Sequence, residues 1–135
     1  MPPFPPMTHD HEDPELKRLV TINDMISNIP ANAADHNPDY RPDWKPRAPF
    51  SPHTQARCIT TKGSGGGDTY HPSGERPFTI RELASLQTFP VYHSFAGARG
   101  ITARKHQIGN AVPTVLARAL FRTIVKSLKE SDGVA

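Results

Sequence analysis

Residues 76–90 read RPFTIRELASLQTFP and residues 107–113 read QIGNAVP, and these two stretches carry the strongest structural patterns of the chain. In the first, Thr79 precedes Glu82 by three residues, which is the spacing of a capping box. The side chain of each residue can then accept a hydrogen bond from the backbone amide of the other. The sequence therefore predicts a helix that begins at Ile80.

The residues around that helix predict where it enters and ends. Phe78 and Leu83 occupy the two positions of a hydrophobic staple, which sets the direction of the incoming chain. The helix is expected to end near Thr88, because Pro90 excludes helical geometry at the preceding residue. Its core-facing stripe comprises Ile80, Leu83, Ala84 and Leu86 or Gln87. The side chains expected to point outward are Arg81 and Ser85.

A second, longer helix is predicted after residue 109. Asn110 offers a side-chain cap, and Pro113 is tolerated in the first turn. Apolar or small residues then recur at helical spacing, at Val112, Val115, Leu116, Ala119, Leu120, Thr123, Ile124 and Leu128. The outer face and last turns carry Arg118, Arg122, Lys126 and Lys129. Cations near a helix C-terminus also favour the helix dipole, so part of this charge needs no ligand to explain it.

The first part of the chain is rich in proline. Eleven of the 15 prolines precede Thr54, so little regular structure is expected there. Residues 1–18 are acidic, lack apolar periodicity and are predicted to be disordered. A short helix is predicted within residues 21–30, where Thr21 can cap and Asp24 can return the bond.

Residues 31–52 are predicted to form a loop that crosses the surface, with Trp44 and Tyr40 anchoring it to a core rather than stacking on a base. The segment 56–62 has β-branched residues and precedes several glycines, so it is predicted to be a strand that enters a flexible loop. The single cysteine, Cys58, excludes an internal disulfide and is expected to be a buried structural thiol.

Charge is divided unevenly along the sequence. Residues 1–43 contain eight acids and three bases, whereas residues 44–135 contain 13 bases and five acids. Seven Lys or Arg residues and no acid lie between Arg99 and Lys129. This distribution suits a polyanionic partner such as nucleic acid, although a solvated basic helix face is the alternative. No membrane segment, signal peptide or metal site is expected, and the predicted location is intracellular.

The patterns Arg-x-x-Thr-x-Arg-Glu-x-Ala-x-Leu-Gln-x-Phe-Pro at 76–90 and Gln-x-Gly-Asn-Ala-Val-Pro at 107–113 closely resemble the last two motifs, IX and X, of the cytosine-C5 DNA methyltransferases. Residues 20–30 are similar, more faintly, to the start of the target-recognition region in that family. The resemblance covers about residues 56–129. In a eukaryote it would imply a nuclear location.

The family's chemistry implies a cysteine thiolate from a Pro-Cys motif that attacks ring carbon 6 of a flipped-out cytosine, and a Glu-Asn-Val motif that contacts ring nitrogen 3. This sequence contains neither motif, nor the family's glycine-rich cofactor strand. Cys58 has no preceding proline. The resemblance therefore implies no catalytic residue here, and the chain alone is expected to be inactive.

By position, the resemblance implies that the chain supplies part of an S-adenosylmethionine pocket and part of a DNA surface. The residues expected to contact the cofactor are Gly109, Asn110, Ala111 and Val112. Those expected to contact DNA are Lys62, Gly65, Tyr70, His71 and Arg76. For Arg81 and Glu82, an ion-pair or capping role is expected rather than catalysis.

The expected fold is an α+β fragment, the C-terminal portion of a Rossmann-like α/β methyltransferase with a largely irregular N-terminal half. The predicted divisions are a tail at 1–18, a recognition-region remnant at 19–75, motifs IX and X at 76–130, and a tail at 131–135. Truncation, a gene-model fragment and a split-enzyme subunit completed by a separate chain remain open. A non-catalytic DNA-binding or regulatory module and a relative acting on RNA are the alternatives.

Overall fold

The computed structural model describes residues 3–41, 43–61 and 70–133, and its regular structure is helical. The helices are α1 (Ile22–Ile26), α2 (Ile80–Leu86), α3 (Gly100–Asn110) and α4 (Thr114–Ser131). Across the described ranges no strand forms, and the only β pairing is an isolated bridge between His9 and Lys17. The chain divides into two compact units, one of residues 20–111 and the other of residues 1–19 with 112–135.

Both predicted capping boxes are confirmed. At α1 the Thr21 side chain accepts a hydrogen bond from the Asp24 amide, and the Asp24 carboxylate accepts one from the Thr21 amide. At α2 the same exchange joins Thr79 and Glu82. Each box satisfies backbone donors that a helix start leaves without intrahelical partners, which explains why helices as short as these begin where they do.

The core of the 20–111 unit is built around α2. Its buried apolar side chains are Ile22, Ile59, Phe78, Ile80, Leu83, Ala84, Phe95 and Ile108. Arg81 and Ser85 were expected to point outward, and this prediction is wrong, because Arg81 is 0% exposed and Ser85 is 7% exposed. Loops distant in sequence cover the side of α2 that helical periodicity assigns to solvent. The helix is therefore surrounded by protein instead of lying on the surface.

The segment before α4 differs from the prediction. Residues 100–110 form α3, which the sequence patterns did not indicate, and Asn110 is its last residue. Asn110 therefore does not cap α4. That helix begins at Thr114 with Pro113 at the capping position and no side-chain cap. Ala111 is extended, and Pro113 restricts the residue before it, so the two helices cannot merge.

The predicted strand is also absent from its described part, residues 56–61. No strand among the residues described offers it a ladder partner. The backbone at Thr60 and Thr61 packs against Gly109 instead. Ile59 is buried, but Cys58 is exposed, which corrects its assignment as a buried thiol. The β component of the predicted α+β fold is thus missing from the described chain.

In the other unit, α4 exposes most of its apolar stripe, and none of its residues is buried. Within α4 the most exposed large apolar side chains are Val115, Phe121 and Leu128, each more than half exposed. Such a face is typical of a helix whose packing partner is not among the described residues. Of the described helices, none combines the length and the apolar character that crossing a bilayer requires.

Candidate functional site

Arg81 is the polar centre of the 20–111 unit. Its guanidinium donates hydrogen bonds to the carbonyl oxygens of Ala34 at 2.9 Å, Pro90 at 3.3 Å and His93 at 2.6 Å. The charged group lies 5.7 Å from the centre of the Phe95 ring. One side chain thus joins the loop before α2, the helix itself and the loop after it, as expected for a structural rather than a catalytic arginine.

Asp35 supplies the negative charge near Arg81. One of its carboxylate oxygens lies 3.9 Å from the Arg81 guanidinium, and the other accepts a 2.6 Å hydrogen bond from Arg104 on α3. Its own carbonyl accepts a bond from the Arg81 amide. Asp35 has a φ of +65°, a conformation uncommon for residues with a side chain. Burial lowers the pKa of Arg81, and the charge of Asp35 opposes that effect.

Glu82 holds the start of α2 through a second ion pair. Arg76 donates to both carboxylate oxygens, at 2.7 and 2.8 Å, and the Thr79 amide donates to one of them at 2.7 Å. Burial opposes ionisation of Glu82, but the bonds from Arg76 and Thr79 outweigh it, so the pKa of this carboxyl lies below its ordinary value. The expected structural role of Glu82 is confirmed.

The arrangement around Glu82 predicts a stability contribution that depends on pH. Because the pKa of Glu82 is lower in the folded than in the unfolded state, its contribution is complete above pH 4.5 and is lost as the pH falls through the folded-state value. We expect Glu82→Gln to reduce the free energy of unfolding by about 1 to 3 kcal/mol at pH 7. The difference from the wild type should shrink below pH 4.5. Urea titrations at several pH values measure it, and a difference that is constant with pH would contradict the expectation.

Gln87 connects α2 to the end of α3. Its side-chain amide donates to the carbonyl oxygens of Ile108 and Ala111, both at 3.0 Å. These carbonyls flank Gly109 and Asn110, the last two residues of α3, and the chain leaves helical geometry at Ala111. Since Gln87 is buried, the bonds fix the position of this segment relative to the core. The motif IX helix therefore sets the position of the residues expected to contact the cofactor.

The four expected cofactor residues occupy different environments. A Cβ at Gly109 would lie 2.4 Å from the Thr61 nitrogen and 2.5 Å from the Thr60 carbonyl carbon, so the required close approach is to protein backbone. Asn110 is exposed, Ala111 is half-buried and Val112 is 58% exposed. The exposed Asn110 carboxamide can donate hydrogen bonds to a ligand, and the contact of these four residues with the cofactor stays a prediction.

Three of the five expected DNA contacts lie in one described segment. Tyr70, His71 and Arg76 flank a turn in which the His71 amide donates to the Arg76 carbonyl at 3.2 Å. Arg76 is committed to Glu82, and the Tyr70 hydroxyl donates to the Ala48 carbonyl at 2.9 Å. Burial and the charge of Arg76 lower the pKa of His71. The other two expected contacts, Lys62 and Gly65, lie outside the described residues.

The loop before this turn holds a cluster that the sequence reasoning missed. Arg47 lies over the rings of Trp44, at 5.1 Å, and Tyr70, at 5.3 Å. The Trp44 indole donates to the Gly74 carbonyl at 3.0 Å, so Trp44 anchors the loop to the 70–76 turn and is not one of the side chains that form the buried cluster. Tyr40 is exposed. Only the aromatic-basic composition of residues 40–47 hinted at the cluster. In the described ranges, no group of three His, Cys, Asp or Glu side chains could hold a metal ion.

Comparison with known proteins gives a consistent result. A family model described as C-5 cytosine-specific DNA methylase matches residues 9–126. The type II methyltransferase M.Sau96I of Staphylococcus aureus is 45% identical over 60 residues, which are 44% of this chain and 14% of that protein. The DNA (cytosine-5)-methyltransferase 1B of Oryza sativa is 44% identical over 62 residues, 46% of this chain and 4% of that protein. No solved structure gives a significant match.

A third relative is close to this chain in size. The type II methyltransferase M.AquIB of Picosynechococcus is 40% identical over 78 residues, which are 51% of this chain and 56% of that protein. That coverage makes M.AquIB a protein of about 140 residues. The chain thus spans about a seventh of M.Sau96I and just over half of M.AquIB.

Proposed function

Because the chain belongs to the C-5 cytosine-specific DNA methylase family, we propose that it provides the DNA-facing and cofactor-contacting end of a cytosine-C5 DNA methyltransferase and acts together with a catalytic half. The observation that supports this most is the pair of hydrogen bonds from Gln87, which join the end of α2 in motif IX to the motif X segment around Gly109. A second support is M.AquIB, a chain of similar length that bears the name of a methyltransferase.

The residues that the sequence contains indicate which steps of the reaction this chain would support and which it would leave to the other half. S-adenosylmethionine would supply the methyl group, and Gly109, Asn110, Ala111 and Val112 would form one part of its pocket. The sequence contains no Pro-Cys or Glu-Asn-Val, so nucleophilic attack and contact with cytosine nitrogen 3 fall to the other half. That half is a separate chain or a further segment. The exposed apolar stripe of α4 is the surface that it would cover.

A transplant tests the proposal. We expect no methyl transfer from labelled S-adenosylmethionine to duplex DNA with the purified chain alone. In M.Sau96I, replacing its matched 60 residues with the equivalent residues of this chain should retain transfer. Within that chimera, Asn110→Ala should raise the KM for S-adenosylmethionine by about 5- to 10-fold, the effect of one hydrogen bond.

The matched control is His106→Ala, an exposed residue one turn earlier on α3, which should leave this KM unchanged. Transfer by the chain alone would disprove the need for a catalytic half. A folded chimera without transfer would show that the segment is not equivalent to its counterpart. Equal effects of the Asn110 and His106 substitutions would remove Asn110 from the cofactor site.

A further inference from the structure

We propose that Arg47, whose guanidinium lies over the rings of Trp44 and Tyr70, is a DNA contact that donates paired hydrogen bonds to two neighbouring acceptors on the duplex. The inference rests on the proposed function, since the partner is taken to be the DNA substrate. It adds a residue from the proline-rich loop to the DNA contacts that the sequence predicts at Lys62, Gly65, Tyr70, His71 and Arg76. The two sources of such acceptors are a guanine edge and a backbone phosphate.

The loop that carries Arg47 is fixed to the 70–76 turn by four hydrogen bonds. The Arg47 amide donates to the Gly74 carbonyl at 2.9 Å, and the Phe50 amide donates to the Pro72 carbonyl at 3.0 Å. The Trp44 indole and the Tyr70 hydroxyl make the other two. The two segments therefore form one scaffold, and Arg47 is presented from it at a defined position.

Two prolines and a close glycine contact further restrict the backbone at Arg47. Pro46 and Pro49 bracket Arg47, and each removes conformational freedom from the chain beside it. Gly74 has a φ of +75°, and a Cβ there would lie 2.1 Å from the Arg47 carbonyl oxygen. Only glycine fits this approach. The chain thus places a glycine where the two segments meet most closely.

The guanidinium itself is oriented rather than freely rotating. The rings of Trp44 and Tyr70 are half-buried and lie 6.0 Å apart, and Phe50 meets Tyr70 edge-on at 5.4 Å. Arg47 is exposed despite its contacts with both rings. Stacking limits the conformations that binding would otherwise have to remove, and a planar fork of N–H groups matches paired acceptors. An exposed arginine already ordered in this way is suited to recognition.

Trp44 provides a local probe, because it is the only tryptophan of the chain. We would titrate the full chain with a duplex of about 20 base pairs at about 50 mM salt, and follow both tryptophan fluorescence and the anisotropy of labelled DNA. Binding should change the Trp44 emission. Arg47→Ala should weaken binding by about 5- to 20-fold, and Arg47→Lys by nearly as much, because lysine keeps the charge but loses the fork.

Arg41→Ala is the matched control, since Arg41 is exposed on the same loop and bonds only its local Pro38 carbonyl among the contacts described. It should weaken binding by less than about 2-fold. If Arg47 contacts a phosphate, its replacement should reduce by about one the magnitude of the slope of log binding constant against log salt concentration. If it contacts a guanine edge, the slope should stay the same and the variant should discriminate less between duplexes of different sequence. Both results support the proposal and identify the acceptor.

Three outcomes would overturn the proposal: the chain does not bind DNA, it binds without a change in Trp44 fluorescence, or the Arg47 and Arg41 variants lose the same amount of affinity. Circular dichroism of each variant confirms that the fold is retained. The readout needs neither cofactor nor methyl transfer. If the chimera transfers methyl groups but DNA does not change the Trp44 fluorescence of the full chain, only the Arg47 contact is rejected. If DNA changes the Trp44 fluorescence but the folded chimera is inactive, only the proposed enzyme role is rejected.

Discussion

Replacing Arg81 with methionine is expected to lower the free energy of unfolding of the 20–111 unit by about 3 to 5 kcal/mol. Methionine matches much of the volume but donates no hydrogen bonds. The carbonyls of Ala34 and His93 would then lose the guanidinium that donates to them, whereas the Pro90 carbonyl would keep the His93 amide as a donor. The Arg81 side chain is 0% exposed, and Asp35 would lose one of the two cations beside it. Each unsatisfied buried acceptor costs about 1 to 3 kcal/mol.

The effect should reflect the shape of the guanidinium as well as its charge. Arg81→Lys retains a cation near Asp35 but cannot reach three separate carbonyls from a single nitrogen, so we expect it to recover less than half of the loss. Arg99→Ala, at an exposed arginine outside this network, should change stability by less than about 0.5 kcal/mol. Urea unfolding followed by circular dichroism measures all three. If Arg81→Met leaves the free energy of unfolding unchanged, the carbonyls find other hydrogen-bond donors.

Local sequence patterns correctly predicted the starts of α1 and α2. They also predicted the buried apolar stripe of α2 at Ile80, Leu83 and Ala84, but not the burial of Arg81 and Ser85. The capping boxes at Thr21 and Thr79 depend on residues three positions apart, so the sequence contains all that they require. Burial of Arg81 depends on loops 47 residues before it and 12 residues after it. No periodicity within α2 reports those contacts, and a helix surrounded by irregular chain gives the same pattern as one on a surface.

The α3 segment shows a second limit. Its sequence, GITARKHQIGN, has no apolar stripe, and only Ile108 is buried. Tertiary bonds position its end, through Gln87 at Ile108 and through Arg104 at Asp35. These partners lie 21 and 69 residues away in the sequence, so the local pattern of residues 100–110 does not indicate a helix. Without α3, Asn110 is predicted to cap the helix that follows it. The motif letters identified the family and the candidate segment, while the contacts within the segment required the fold.

Gly109→Ala is expected to reverse the usual effect of that substitution in a helix. Within a helix, alanine is normally favoured over glycine by about 1 kcal/mol, because it loses less backbone entropy on folding. Here the new methyl carbon would lie 2.4 Å from the Thr61 nitrogen and 2.7 Å from the Thr60 carbonyl oxygen. Both are backbone atoms, so no side-chain rotation relieves the overlap. We expect a loss of about 2 to 4 kcal/mol.

Gly97→Ala is the matched control, because a Cβ there meets nothing within 4 Å and its φ is not positive. It should be neutral or slightly stabilising, since alanine restricts the unfolded chain. If both variants unfold at the same urea concentration, the α3 helix does not press against residues 60–61 as described. If only Gly109→Ala is destabilised, the glycine of motif X is required by packing within this chain, before any cofactor is bound. Its presence in the motif would then have a structural cause in addition to the proposed contact with S-adenosylmethionine.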